Sequence, residues 1–304
     1  MASSTRKRRV AILAERGFSP PGPLRFPFAR LMTTSMVRDA LAEDAADNDI
    51  TSIATIVSSR RSRCAIIARQ AGVIAGGALA RETFKQRDDK ASVRIAVKDG
   101  QKVIAGTPVI FVTGHARGLL SAERVALNYM QRLSGVASLT RQFVDAVKDT
   151  KAKILDTRKT TPGWRRLEKY AVRAGGGLNH RADLGSAILI KDNHIAAVGG
   201  DVATAIRRAR QVAPAGIPVE VECDTIDQVR AALDVAPDII MLDNMPLARL
   251  REAVMLIDGR AVTEASGGVS LQTVRSIAET GVDWISVGAI THSVKALDLA
   301  LDFL

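Results

Sequence analysis

The chain has 304 residues, 47% of them hydrophobic and 25% charged, an ordinary globular composition with length for one large core and one smaller one. No run approaches the roughly 18 uninterrupted apolar residues of a membrane span, and two cysteines, Cys64 and Cys223, exclude a disulfide framework and suit a reducing, cytoplasmic compartment. The net charge of +11 would suit nucleic acid, but seven Arg and Lys against Glu15 alone fall in residues 1–30, and two Trp and two Tyr give no aromatic platform for stacked bases, so no nucleic-acid partner is expected.

In chain order, residues 1–30 carry that basic excess together with Pro20, Pro21, Gly22, Pro23 and Pro27, a composition that resists helix and strand. They read as a flexible basic, Pro-rich tail, either without a role in the fold, with Met32 or Met36 as the native start, or as a targeting segment. Residues 31–130 read as an α+β sandwich domain. Its elements are a helix and turn over VRDALAEDAADNDI, short strands at RCAIIA, AGVIAG, SVRIAVKDGQKV and TPVIFVTG, and a helix over SAERVALNYMQRL with Ser121 as its N-cap.

After about residue 150 the texture changes. Apolar runs KILDTRK, AILIKDN, VEVEC, DIIMLDN, AVTEASGG and WISVGA alternate with helical stretches VATAIRRARQVA, TIDQVRAALDVA, LARLREAVMLI and LQTVRSIAETG. Continuous apolar strands alternating with amphipathic helices require a parallel sheet covered by helices, and the even spacing of the strand ends favours a closed α/β barrel over residues 131–292. No GxGxxG follows the first strand, which disfavours a dinucleotide fold. A last helix over about 293–304 is expected to pack on the N-terminal domain.

In an α/β barrel the C-terminal strand ends share one mouth. Here they deliver Arg158, Lys159 and Lys191, with His180 and Arg181 upstream of the last, then Glu222 and Asp243, then Ser266, Gly267, Gly268 and Gly288. Arg and Lys together imply a ligand with several negative charges. Two carboxylates on adjacent strands suit magnesium shared with ligand oxygens, and a Ser-Gly-Gly turn before a helix suits phosphate. Any one of these residues alone is more often a solvated rim residue, and Lys159 alone could be the Schiff-base nucleophile of a lyase. What distinguishes the pattern is that charge sign segregates by strand.

The run DTRKTTPGWRRLEKYAVRAGGGLNHRADLGSAILIKDNH, residues 156–194, closely resembles the signature of the quinolinate phosphoribosyltransferase family. Locally, Thr161 and Pro162 are expected to open a helix that Gly175, Gly176 and Gly177 stop. LLSAERVALNYMQRLSG, VEVEC, IIMLDN, EASGGVSLQTV and VGAITHS match in order, so the resemblance covers most of residues 117–304. Residues 31–116 match more loosely, with Asn48 where the family usually has Gly. The resemblance implies a seven-stranded, TIM-like α/β barrel with an N-terminal α+β sandwich, acting as a homodimer. It implies transfer of phosphoribosyl from phosphoribosyl pyrophosphate to quinolinate with loss of carbon dioxide.

By motif, the resemblance assigns quinolinate to Arg124 from the partner subunit, Arg158, His180 and Arg181. It assigns phosphoribosyl pyrophosphate to Lys159, Lys191, Glu222, Asp243, Ser266, Gly267 and Gly288, with Mg2+ on Glu222 and Asp243. The catalytic group would be Lys159, Lys191, Glu222 and Asp243. A paralogue acting on another ring acid would keep the phosphate residues and differ at Arg124, Arg158, His180 or Arg181.

Overall fold

A computed structural model describes residues 23–304; residues 1–22, most of the expected tail, lie outside the described residues. Its contacts divide the chain into two units. One comprises Leu24–Arg141, Arg166–Gly176 and Val294–Leu304, and the other Gln142–Arg165 and Gly177–Ser293 together with Pro23. The strands, in chain order, are β1 Arg61–Ala68, β2 Gly72–Val73, β3 Ser92–Ile95, β4 Lys102–Val103, β5 Pro108–His115, β6 Lys153–Leu155, β7 Ile188–Ile190, β8 Val219–Cys223, β9 Ile239–Asp243, β10 Val262–Ser266, β11 Trp284–Ser286 and β12 Leu299–Phe303.

The first unit is built on an antiparallel sheet in the order β12-β1-β5-β3, with β2 and β4 paired separately. Alternate residues of β1, Cys64, Ile66 and Ala68, enter a core shared with Ile74, Phe84, Ile110, Leu119 and Met130. The helix carrying SAERVALNYMQRL is longer than expected, running Ala116–Ala146. Ser121 is therefore inside it and not its cap; its hydroxyl instead receives the Arg87 Nε–H at 3.0 Å.

The end of the chain departs from expectation. Residues 299–303 form a strand, not a helix, antiparallel to β1 with Ile66 opposite Leu301 and Ala68 opposite Leu299. Leu299 and Leu301 lie on one side of an extended chain and reach the core, while β1's edge gains a partner for its backbone groups. Residues 24–30 are not a loose tail either. Phe26 packs edge-on against Tyr170 at 5.4 Å, and the Arg166 guanidinium lies 4.5 Å above Phe28.

The second unit holds a parallel sheet in the order β6-β11-β10-β9-β8-β7. A seventh position is supplied by Leu178, which forms a single-residue parallel bridge to Leu155 of β6. The helices between the strands bury one stripe each, for example Val202, Ala205 and Ile206. Thr225 and Gln228 close a reciprocal capping box on the helix Ile226–Leu233. All five residues of β8 are buried, as a strand covered on both faces requires. Leu155, Ala187, Ile239, Val262 and Trp284 form this unit's packed centre. Among the described residues no helix is long and apolar enough to cross a membrane.

Candidate active site

Parallel strands all end on one side, and register then decides which side chains share it. Asp243 ends β9 directly opposite Ser266 at the end of β10, and Glu222 of β8 lies opposite Met241. The result is a cavity of about 810 Å³ whose lining includes Arg158, Lys159, His180, Arg181, Lys191, Glu222, Asp243, Ser266, Gly267, Gly268 and Gly288. The structure thus gathers every strand-end residue picked from the sequence. Arg124 stands apart: it is exposed on the helix Ala116–Ala146, in the other unit.

The cationic side is built by the segment after β6 and by residues 177–181. Glycine termination works as expected, with Gly176 at φ 91° after the helix Arg165–Ala174, though that helix opens at Arg165 and not at Pro162. The buried Asp156 carboxylate accepts the His180 backbone N–H at 2.8 Å and the Asn179 amide at 2.6 Å, fixing the returning chain. Arg181 is buried and donates to the Ala187 carbonyl at 3.1 Å. Burial and then the charge of neighbouring Arg158 lower its pKa. Two guanidiniums brought together in this way favour an anion that relieves both.

Beneath them lies a cluster that strand-end reasoning missed. His180 Nε2 is 3.2 Å from Glu220 Oε2 and 3.5 Å from Glu264 Oε1, and all three residues are buried. Nδ1 accepts the Arg181 backbone N–H at 2.8 Å, so the ring hydrogen sits on Nε2 and faces the acids. Burial alone would lower the pKa of His180; Glu264 and Glu220 outweigh it and raise it to about 10. Burial, and then Glu264, push Glu220 up to about 7.

On the acidic side, Lys191 Nζ pairs with Glu222 Oε2 at 2.7 Å. Glu222, Asp224 and Asp243 each place a ligand oxygen within 4.8 Å of the others. Asp224, one residue beyond β8, was not picked from the sequence; burial and the charges of Asp243 and Asp192 raise its pKa. Three crowded hard oxygen donors fit a divalent ion such as magnesium, which would relieve that repulsion.

The third sector differs in one respect from expectation. Gly267 and Gly268 take φ of 93° and 57°, but the regular helix that follows starts only at Val274. What the Ser266–Gly268 turn offers is therefore exposed backbone at a sharp corner and not a helix end. Asn244, itself at φ 52°, donates its N–H to the Ser266 carbonyl at 2.9 Å and its side-chain amide to Asp243, tying this turn to the acidic sector.

Comparison with known proteins adds an independent line. Residues 136–302 match the model of the quinolinate phosphoribosyl transferase C-terminal domain, and residues 49–134 match that of its N-terminal domain. A probable nicotinate-nucleotide pyrophosphorylase (carboxylating) of Bacillus subtilis is 43% identical over 272 residues, 90% of this chain and 93% of that protein. A Mycobacterium leprae protein of the same name is 47% identical over 88% of this chain and 95% of its own length. Among solved structures, the nicotinate-nucleotide pyrophosphorylase from Francisella tularensis superposes with a TM-score of 0.86 at 38% identity, covering 92% of this chain and 99% of that one.

Proposed function

We propose, from the premise that this chain belongs to the quinolinate phosphoribosyl transferase family, that it joins the phosphoribosyl group of phosphoribosyl pyrophosphate to the ring nitrogen of quinolinate, releasing carbon dioxide and pyrophosphate and leaving nicotinate mononucleotide for NAD synthesis. The observation that carries the reading is the segregation of charge in one cavity: arginines on one side, carboxylates on the next, an open glycine turn on the third.

The chemistry follows from that layout. Arg158 and Arg181 would pair with the ring carboxylates and place the nitrogen toward the anomeric carbon, and the Ser266–Gly268 turn with Gly288 would seat the 5-phosphate. Lys159 and Lys191, both exposed at the mouth, would offset the charge that develops as pyrophosphate leaves. Glu222, with Asp243 and Asp224, would hold the ribose hydroxyls and a magnesium ion, which when bound neutralises pyrophosphate oxygens. The attacking nitrogen bears no proton, so no general base is required, and placement supplies most of the acceleration. Once alkylated, the ring nitrogen is cationic and stabilises the electron pair that stays on the adjacent carbon as carbon dioxide departs; that carbanion then takes a proton from water.

Lys159 lacks the burial that activates a Schiff-base amine, which leaves the lyase reading unsupported. Assembly as a homodimer, in which Arg124 reaches the partner's site, belongs to the same proposal. So does a cytoplasmic setting, in keeping with the buried, unpaired thiols of Cys64 and Cys223.

The test is direct. Quinolinate and phosphoribosyl pyrophosphate with magnesium should yield nicotinate mononucleotide and one equivalent each of carbon dioxide and pyrophosphate, with nicotinate inert as acceptor. Turnover with nicotinate and none with quinolinate would overturn the acceptor assignment, and undiminished turnover after chelation would remove the metal.

A further inference from the structure

Two carboxylates, Glu220 and Glu264, stand inside the second unit close to the place assigned to an anionic acceptor and have no part in the steps above. Each is fully buried, on β8 and β10. Burying such charges is costly unless they are answered, and near a dianionic substrate they would oppose binding. Their protein partners are correspondingly few. The Ser286 hydroxyl donates to Glu264 Oε1, while both Glu220 oxygens and Glu264 Oε2 find no hydrogen-bond partner among the described residues. The polar edge they do face is His180 Nε2, at 3.2 and 3.5 Å.

His180 is placed to transmit that grip. Its backbone N–H is held by Asp156 at 2.8 Å, and its Nδ1 receives the Arg181 N–H, also at 2.8 Å. Arg181 continues the line, with Nη1 on the Ala187 carbonyl at 3.1 Å. The ring is thus a strut with two carboxylates at its inner edge and the backbone of a pocket-lining arginine at the other.

We propose that Glu220 and Glu264 are positioning residues for the acceptor half of this site: together they grip the Nε2 edge of His180 and through it set Arg181 for a carboxylate of the acceptor. The inference rests on the reading of quinolinate as that acceptor. It assigns two acids a task that their charge alone would contradict, because their effect reaches the substrate only through the imidazole and guanidinium between.

The experiment uses the full chain and equilibrium dialysis with labelled quinolinate and, separately, with phosphoribosyl pyrophosphate and magnesium. Glu220→Gln and Glu264→Gln keep the shape and remove the charge. Each should raise the Kd for quinolinate roughly tenfold, the loss of about one charge-assisted contact, while leaving that for phosphoribosyl pyrophosphate within about twofold. Placed in a His180→Asn background, Glu220→Gln should add less than about twofold, since its route to the ligand is already cut. Equal loss of both ligands, or full multiplication of the two effects, would overturn the proposal, because the acids would then support the core at large or act independently. Should a Gln variant fail to fold by circular dichroism, Glu264→Asp, which keeps the charge and withdraws it, should still weaken quinolinate about threefold or more; unchanged binding there would also overturn it. Parent protein that binds no quinolinate sinks the functional reading itself, whereas binding that the variants leave untouched sinks only the positioning role.

Discussion

Gly267 is pressed against Asn244: a Cβ added there would stand 2.1 Å from Asn244 Oδ1, at a φ of 93°. Space and backbone conformation therefore both demand glycine. Gly267→Ala must move either the turn or Asn244, and with Asn244 the Asp243 carboxylate it donates to. The expected result is a rise of roughly tenfold or more in the Kd for phosphoribosyl pyrophosphate, with quinolinate binding within about twofold. Gly106 is the control, with a φ of 84° and nothing within 4 Å of an added Cβ. Gly106→Ala should cost only about 1 kcal/mol of stability in denaturant unfolding and leave both ligands alone. Equal effects of the two substitutions on ligand binding would show that the turn is not a binding element.

The same scale shows where sequence reasoning succeeds. Arg158, Lys191, Glu222, Asp243 and Ser266 are legible because they close apolar runs, and a closing polar residue in a parallel barrel has one place to go. Glu220 and Glu264 sit within runs, and in a strand buried on both faces alternation gives no sign of which side a residue takes. A glutamate inside a fully apolar run is itself the signal that was available, since its burial needs a partner. Asp224 escaped for the opposite reason, standing one residue past the strand in what reads as an ordinary turn.

At the scale of elements, local pattern was outweighed by pairing. The segment SVKALDLALDFL supports a helix by composition, but Leu299 and Leu301 also alternate, and the open edge of β1 decides between them. Leu299 is only 2% exposed, within the core of its unit, whereas Phe303 is 46% exposed. Leu299→Ala should therefore lose about 2–5 kcal/mol in urea unfolding, and Phe303→Ser less than about 0.5 kcal/mol. A reversed order would mean that the terminal strand contributes through its exposed end and not through the buried Leu299. The Ser266–Gly268 turn teaches a related point. A glycine pair before an amphipathic run suggests a helix end, but residues 269–273 intervene before the helix at Val274, so only the turn's own amides remain available.

For the whole molecule, the sequence spacing separates 31–130 from 131–292, while the contacts assign Arg166–Gly176 to the unit of Leu24–Arg141. That stretch lies between β6 and β7, where an α/β repeat would place a covering helix. Two contacts tie it to the first unit: Glu168 meets Arg132 at 2.6 Å, and the Tyr170 hydroxyl donates to Asp99 at 2.6 Å. A periodicity argument sees a helix there but not which core it serves. The cavity, by contrast, is lined wholly by the second unit, and Arg124 belongs to the first. If Arg124 serves the site of a second copy, two defective chains can repair each other. Arg124→Ala and Lys159→Ala should each be nearly inactive alone. Mixed one to one and allowed to exchange subunits, half the dimers are mixed, and each of these carries one site with both defects and one with neither. Activity should recover to about a quarter of the parent value. A mixture no more active than the average of its two components would place Arg124 outside any shared site, and the donated-arginine reading would fall while the barrel cavity stood.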